Sequence, residues 1–429
     1  MFIRKLKAAL LGTVVWAAAV AGADAQAITI RAGELIDGKG GVAHNVTLTV
    51  EGSKIVKLQP GFTGPVTYDF GKMTVLPGLM DTHVHIGTHF GKDGKASNGK
   101  GESAADIAMY TAENAYVALM GGFTTIQSIG ADTDIPVRDA INRGRLAGPR
   151  LLTSGNPLTD STSLDKTPDE IRAQVRAQAA KGVDLIKLIV TRSIRDGGDQ
   201  TWSNEQLAAA CDEANKLGML TWVHAHADAA VRNASLSNCH TVTHGQLVTD
   251  DTLRLLAKRG TWMEPTFGLV QPNYMKNMDR YLGTGNYTPE AFAYMRGNVE
   301  LNKTKWRRFI AIPGLKIING SDATAGAEGF NAQEIIWRVE NGQKPMDAIV
   351  NATSRTAEAV RLDKVTGSIA PGMEADLIAV VDDPLTKIRT LERVVFVMKG
   401  GRVYKNEPPS DLANILTREP QAPKPKVGG

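Results

Sequence analysis

The sequence predicts an α/β protein, a (β/α)8 TIM barrel carrying a small β-sandwich domain built from the two ends of the chain. Three observations predict it. Apolar, strand-like runs alternate with helical periodicity over about 290 residues, the mark of a parallel sheet with crossover helices. Short strands separated by turns occupy both ends, too few at either end to bury a core alone. Residues of metal-ligand type recur where the apolar runs stop, and a barrel gathers its strand ends at one mouth. An open doubly wound sheet would carry a Gly-rich phosphate turn, and none is present.

Composition sets the limits. With 429 residues, 42% hydrophobic and 22% charged, the chain can bury one large core and one small one. Its formal charge is +4. Arg4, Lys5 and Lys7 contribute to that charge from a segment expected to be removed, so neither a nucleic-acid partner nor a membrane surface is implied. Residues 1–25 run from this basic start through an apolar middle to Ala23-Asp24-Ala25, the order of a secretory signal with a small-x-small cleavage site. An uncleaved anchor is the alternative, but the apolar run is short for a membrane span. The expectation is an exported, periplasmic protein without stable membrane insertion. Cys211 and Cys239 are the only cysteines, and their pairing cannot be read from the sequence.

The small domain is expected from residues 26–76 plus 367–410, the barrel from 77–366, and a flexible tail from 411–429. Strands at 28–32, 46–50 and 54–58 find their partners near 376–381, 394–398 and 402–404, with Gly400-Gly401 as a hairpin turn. The first barrel strand ends Leu79-Met80-Asp81-Thr82-His83-Val84-His85, after a Pro77-Gly78 bend. Further strands are read at 122–127, 149–154, 184–190, 220–224, 241–244, 261–266 and 316–322. Two of the intervening helices announce their starts, at Thr167-Pro168 and at Ser203 with Gln206. Segments 91–102 and 268–288 are long loops at strand ends and read as lids over a site, with surface insertion as the alternative.

On an extended strand His83 and His85 share a face, which suits a divalent metal; a pair of hydrogen-bonded core histidines is the other reading. Lys187, His224, His244 and Asp322 stand at the ends of the fourth, fifth, sixth and eighth strands. An ammonium inside an apolar strand is costly. Lys187 is therefore either a snorkelling or ion-paired lysine, or a lowered-pKa amine able to take up carbon dioxide as a carbamate.

Together these motifs resemble the amidohydrolase superfamily: Pro77-Gly78-Leu79-Met80-Asp81-Thr82-His83-Val84-His85, Ile186-Lys187-Leu188, Val223-His224-Ala225-His226, Thr243-His244-Gly245, Gly320-Ser321-Asp322-Ala323 and the return Gly367 to Leu377. The resemblance implies two divalent metal ions, zinc by donor type. His83, His85 and Asp322 would hold one, His224 and His244 the other, with carboxylated Lys187 between them. It also implies attack by a metal-bridging hydroxide, with Asp322 carrying the proton to the leaving amine. His226 shares the face of His224 and is taken as a substrate contact, the two roles being exchangeable.

Within the superfamily the chain resembles the imidazolonepropionase-like and prolidase-like branch, whose members include dipeptidases and enzymes that split ochratoxin-type amides. The implied substrate is a small amide or dipeptide cut at its C-terminal amino acid. Arg192 and Tyr274 are the candidates for its carboxylate, with Arg195 beside Arg192; plain surface residues are the commoner case for such arginines. The alternatives are a lactonase or phosphotriesterase on the same metal pair, a cyclic-amide hydrolase, or a metal-free scaffold. Relatives imply a homo-oligomer.

Overall fold

The computed structural model describes residues 27–62 and 64–407, so the expected signal segment and tail lie outside the described residues. Both ends of the described chain enter one seven-stranded sheet. Its order is Arg402–Asn406, Val394–Lys399, Leu377–Val380, Tyr68–Pro77, Ile28–Ile36, Val42–Glu51 and Lys54–Pro60. The central strand Tyr68–Pro77 pairs parallel with Ile28–Ile36 on one edge and antiparallel with Leu377–Val380 on the other. That double pairing joins both ends of the described chain in one hydrogen-bonded sheet.

At Gly78 the chain leaves this sheet. A Cβ there would lie 2.0 Å from Thr124 Oγ1, so only glycine lets the strand pass. The next residues, Leu79–Val84, open a parallel sheet of three strands with Phe123–Ser128 and Arg150–Thr153. A second parallel sheet follows: Leu185–Ile189, Leu220–Ala225, Thr241–His244, Trp262–Glu264 and Lys316–Ile317. Isolated parallel bridges link their edges, Leu158 with Leu188 and Val84 with Ala323. The architecture is TIM-barrel-like, strands and helices alternating. The last strand pairs over only two residues, but Asn319 O accepts from Thr82 N at 3.1 Å and Asp322 N donates to His83 O at 2.7 Å, which carries the contact to the strand end.

Helix Pro168–Ala179 starts with a capping box between Thr167 and Glu170, and Asn204–Lys216 with one between Ser203 and Gln206. Their apolar faces bury Ile171, Val175, Leu207 and Ala210 against the strands. Cys211, on the second helix, is bonded to Cys239, which follows helix Asp228–Leu236. Among the described residues no helix is long and apolar enough to cross a membrane.

The ends of the last two strands are fixed by a buried ion pair. Arg338 Nε donates to Glu334 Oε1 at 2.9 Å, while its other nitrogens reach Ile318 O and Pro265 O at 2.9 and 2.7 Å. Glu334 accepts in turn from the backbone N–H groups of Phe267, Gly268 and Leu269. Arg338→Met leaves that carboxylate buried without its cation, so denaturant titration should show a loss of about 3–5 kcal/mol. A loss below 1 kcal/mol would mean the pair contributes little.

Candidate active site

Strand geometry delivers the first group of donors. His83 is the penultimate residue of the strand Leu79–Val84, and His85 follows the strand, two residues on and on the same face. Asp322 reaches both: its Oδ1 lies 3.4 Å from His83 Nε2 and 3.1 Å from His85 Nε2. One donor atom from each of the three falls within 4.8 Å of the others. Asp322 has φ 57° and His244 φ 71°, left-handed conformations uncommon outside glycine that turn both side chains at strand ends.

Lys187, His224, His226 and His244 line the same cavity of about 350 Å³. The rings of His224 and His244 are centred 4.5 Å apart, those of His83 and His244 5.0 Å. Burial, then neighbouring positive charge, drives His83, His224 and His244 well below the usual imidazole range, so all three are neutral donors. Burial likewise lowers Lys187 to about 8, against the pull of Glu264 and Asp322. Burial works to raise Asp322, yet the imidazoles of His83 and His85 hold it below the usual carboxylate range.

The donor set fits a divalent cation. His224 Nε2 and His226 Nδ1 are buried with no hydrogen-bond partner among the described residues, an expensive state for a polar atom unless something else binds it. The two histidines differ in surroundings. After burial, His224 is acted on by His226, Lys187 and His83, whereas His226, lowered to about 3, is acted on chiefly by Arg195 and Lys305 and then by Lys187.

Several neighbours escape a reading of spacing alone. Glu264, inside the strand Trp262–Glu264, accepts from His83 Nδ1 at 2.6 Å, Thr82 Oγ1 at 2.5 Å and Trp222 Nε1 at 2.9 Å. Burial raises this carboxyl to about 7. Its bond to His83 leaves Nε2 facing Asp322. Asp81 has the i, i+2 relation to His83 but turns to strand eight, taking Ser321 Oγ at 2.5 Å and Asn331 Nδ2 at 2.7 Å.

Of the substrate contacts expected from the sequence, His226 and Tyr274 line the cavity and Arg192 does not. Arg192 is exposed, a correction that follows from the turn beyond it: Ser193 caps Ile194–Asp196, and this 3-10 turn brings Arg195 to the cavity instead. Arg195 lies over the rings of Tyr287 and Tyr274, 4.2 and 5.4 Å from their centres, and donates to Asn286 Oδ1 at 2.9 Å. Segments 91–102 and 268–288 meet across the mouth. Lys95 Nζ donates to Asp279 O at 2.7 Å, and Arg280 Nε to Gly94 O at 2.9 Å. They bound an outer chamber of about 920 Å³ that shares Thr88 and Thr324 with the inner cavity.

With this geometry in place, residues 74–404 match the sequence profile of the Amidohydrolase family. The chain belongs to that family. Among solved amidohydrolase-like structures, a Xaa-Pro dipeptidase with methionine bound in its active site superposes with a TM-score of 0.79 at 31% identity, covering 89% of this chain and 100% of that one. Ochratoxinase from Aspergillus niger is 24% identical over 89% of this chain and 87% of its own sequence. The crystal structure of that ochratoxinase has a TM-score of 0.76, covering 89% of this chain and 96% of the other. This amidohydrolase is a hydrolytic enzyme acting on amide bonds, of a family that is typically metal-dependent, and its His83–His85–Asp322 group is of the type such an ion needs.

Proposed function

We propose that the enzyme cleaves the amide bond between an acyl group and a C-terminal amino acid, as a dipeptidase or an N-acyl amino acid hydrolase. The observation that carries this reading is Arg195. It lines the cavity of His83, His85 and Asp322, and no carboxylate lies within ion-pair distance of it among the described residues. A guanidinium packed on a pair of tyrosine rings beside a hydrolytic site is suited to a substrate carboxylate. The relatives' own names, Xaa-Pro dipeptidase and ochratoxinase, point the same way.

In this reading His83, His85 and Asp322 would hold one zinc ion and His224 and His244 a second, and Lys187, once carboxylated, would add anionic oxygen donors to the set. Lowering to about 8 leaves Lys187 a minor fraction of neutral amine near neutral pH, the form that carbamate formation consumes. Bound divalent ions supply Lewis acidity and make hydroxide available near neutral pH. Asp322 Oδ1 takes the proton from the attacking water and returns it to the departing nitrogen. His226 and Tyr274 contact the substrate, and the outer chamber receives its acyl group. The Cys211–Cys239 disulfide supports export to the periplasm, because such bonds persist in oxidising compartments.

The test is a screen of N-acyl amino acids and dipeptides with metal-loaded protein, read by amine release. Turnover confined to esters, lactones or amides without a carboxylate would refute the reading. Arg195→Met should raise KM for carboxylate-bearing amides about tenfold or more, the loss of a charge-assisted hydrogen bond. Arg192→Met should leave KM unchanged.

A further inference from the structure

One long helix behind the cavity is oddly polar on its buried side. Helix Pro289–Ala311 carries Asn298, Asn302 and Lys305 at i, i+4 and i+7, one face of the helix. Asn298 and Asn302 are fully buried, and Lys305 is half-buried with no carboxylate within ion-pair distance among the described residues. Apolar residues would pack here at lower cost. The polar set has one destination, the glutamines of the cavity wall.

Lys305 Nζ donates to Gln246 Oε1 at 3.0 Å and to Asn298 Oδ1 at 2.8 Å, and Asn298 Nδ2 approaches the same Gln246 oxygen at 3.4 Å. Burial, with Arg308 nearby, lowers Lys305 to about 8, so near neutral pH it is still chiefly an ammonium. An ammonium has three donors and no acceptor. Any amide atom facing it must therefore be an oxygen, which removes the usual freedom of an amide to present either end. Gln246 is 4% exposed and lines the cavity, and with its oxygen held from behind, its Nε2 finds no partner among the described residues. Asn302 Nδ2 holds Gln271 Oε1 similarly at 3.1 Å, although no cation fixes that pair.

We propose that Gln246 is a substrate-binding residue that donates through Nε2 to an oxygen of the substrate carboxylate, and that Lys305 is the positioning residue that fixes its amide in this sense. The assignment rests on the carboxylate-bearing substrate proposed above. It adds to Arg195 a neutral donor on the wall beside His226, whose surroundings include both Arg195 and Lys305.

The experiment is a double-mutant cycle on the metal-loaded full chain. Lys305→Met, Gln246→Ala and the double variant are compared for KM and kcat on N-acetyl-L-phenylalanine, and for Kd of L-phenylalanine by calorimetry. Each single change should raise KM and Kd about tenfold with kcat within about threefold. The double variant should be no worse than Gln246→Ala, since Lys305 acts only through that amide. Lys305→Arg, which also lacks an acceptor, should restore binding. Independent, additive losses, or a lowered Tm with unchanged Kd in Lys305→Met, would overturn the proposal, as would failure of the wild type to bind phenylalanine. The calorimetric arm separates the two readings: if no amide is cleaved but phenylalanine binds and the cycle holds, the proposed function falls and the role of Gln246 stands.

Discussion

Replacing Asp322 with asparagine should lower kcat by about a thousandfold or more while the protein folds as before. The substitution isolates charge from shape. Asp322 occupies a left-handed conformation, φ 57°, that asparagine tolerates as readily as aspartate does. The replacement has the same size, and its carbonyl oxygen can still accept from His85. What disappears is the anion held below its usual range by two imidazoles, and with it the base that carries the proton to the leaving nitrogen. Three measurements check this: kcat, Tm and metal content. Loss of activity with metal and Tm retained assigns the effect to proton transfer. Residual kcat above about a tenth of wild type would remove Asp322 from that role, because general acid–base catalysis contributes at least about a hundredfold.

The elements that sequence reading reaches are those governed by short periods. His83 and His85 share a face because a strand repeats every two residues. The strands Leu185–Ile189 and Leu220–Ala225 are legible because β-branched, aromatic and aliphatic residues dominate them, with a ligand-type residue set among them. Helix starts at Thr167 and Ser203 are equally local, resting on residues three apart. Features that depend on long-range contact were not legible. Asp81 shares the strand period of His83, but its carboxylate is claimed by Ser321 and Asn331, some 240 residues away in the chain. Which arginine enters the cavity depends on a single 3-10 turn at Ile194–Asp196, and a turn that short leaves no periodic trace. The one continuous terminal sheet depends on Tyr68–Pro77 being paired along both edges, which strand composition cannot express.

Glu264 is the most consequential of the residues hidden in this way, and it sets the second large expected effect. Within Thr261-Trp262-Met263-Glu264-Pro265 it is one acidic residue in a short strand, with nothing local to mark it. In the fold its two oxygens accept from an imidazole, a hydroxyl and an indole, each buried. Glu264→Gln turns one acceptor into a donor among three donors, so either a buried N–H loses its partner, at about 1–3 kcal/mol, or His83 must change tautomer. Each rotation of the amide incurs one of these two costs. Facing His83, the new N–H would meet Nδ1–H and force the ring to the other tautomer, placing a proton on the Nε2 that faces Asp322. Facing Thr82 and Trp222, it would strand the indole instead. Gly320 leaves room for the carboxyl, since a Cβ there would lie 2.4 Å from Glu264 Cδ. The expected results are a 10- to 100-fold weaker hold on metal, as losses of ligand-orienting partners produce, together with a lowered Tm. Metal titration of apo-protein followed by calorimetry measures the first, and thermal unfolding the second. Wild-type metal affinity in Glu264→Gln would mean that His83 needs no orienting partner, and that the strand end alone sets its ring.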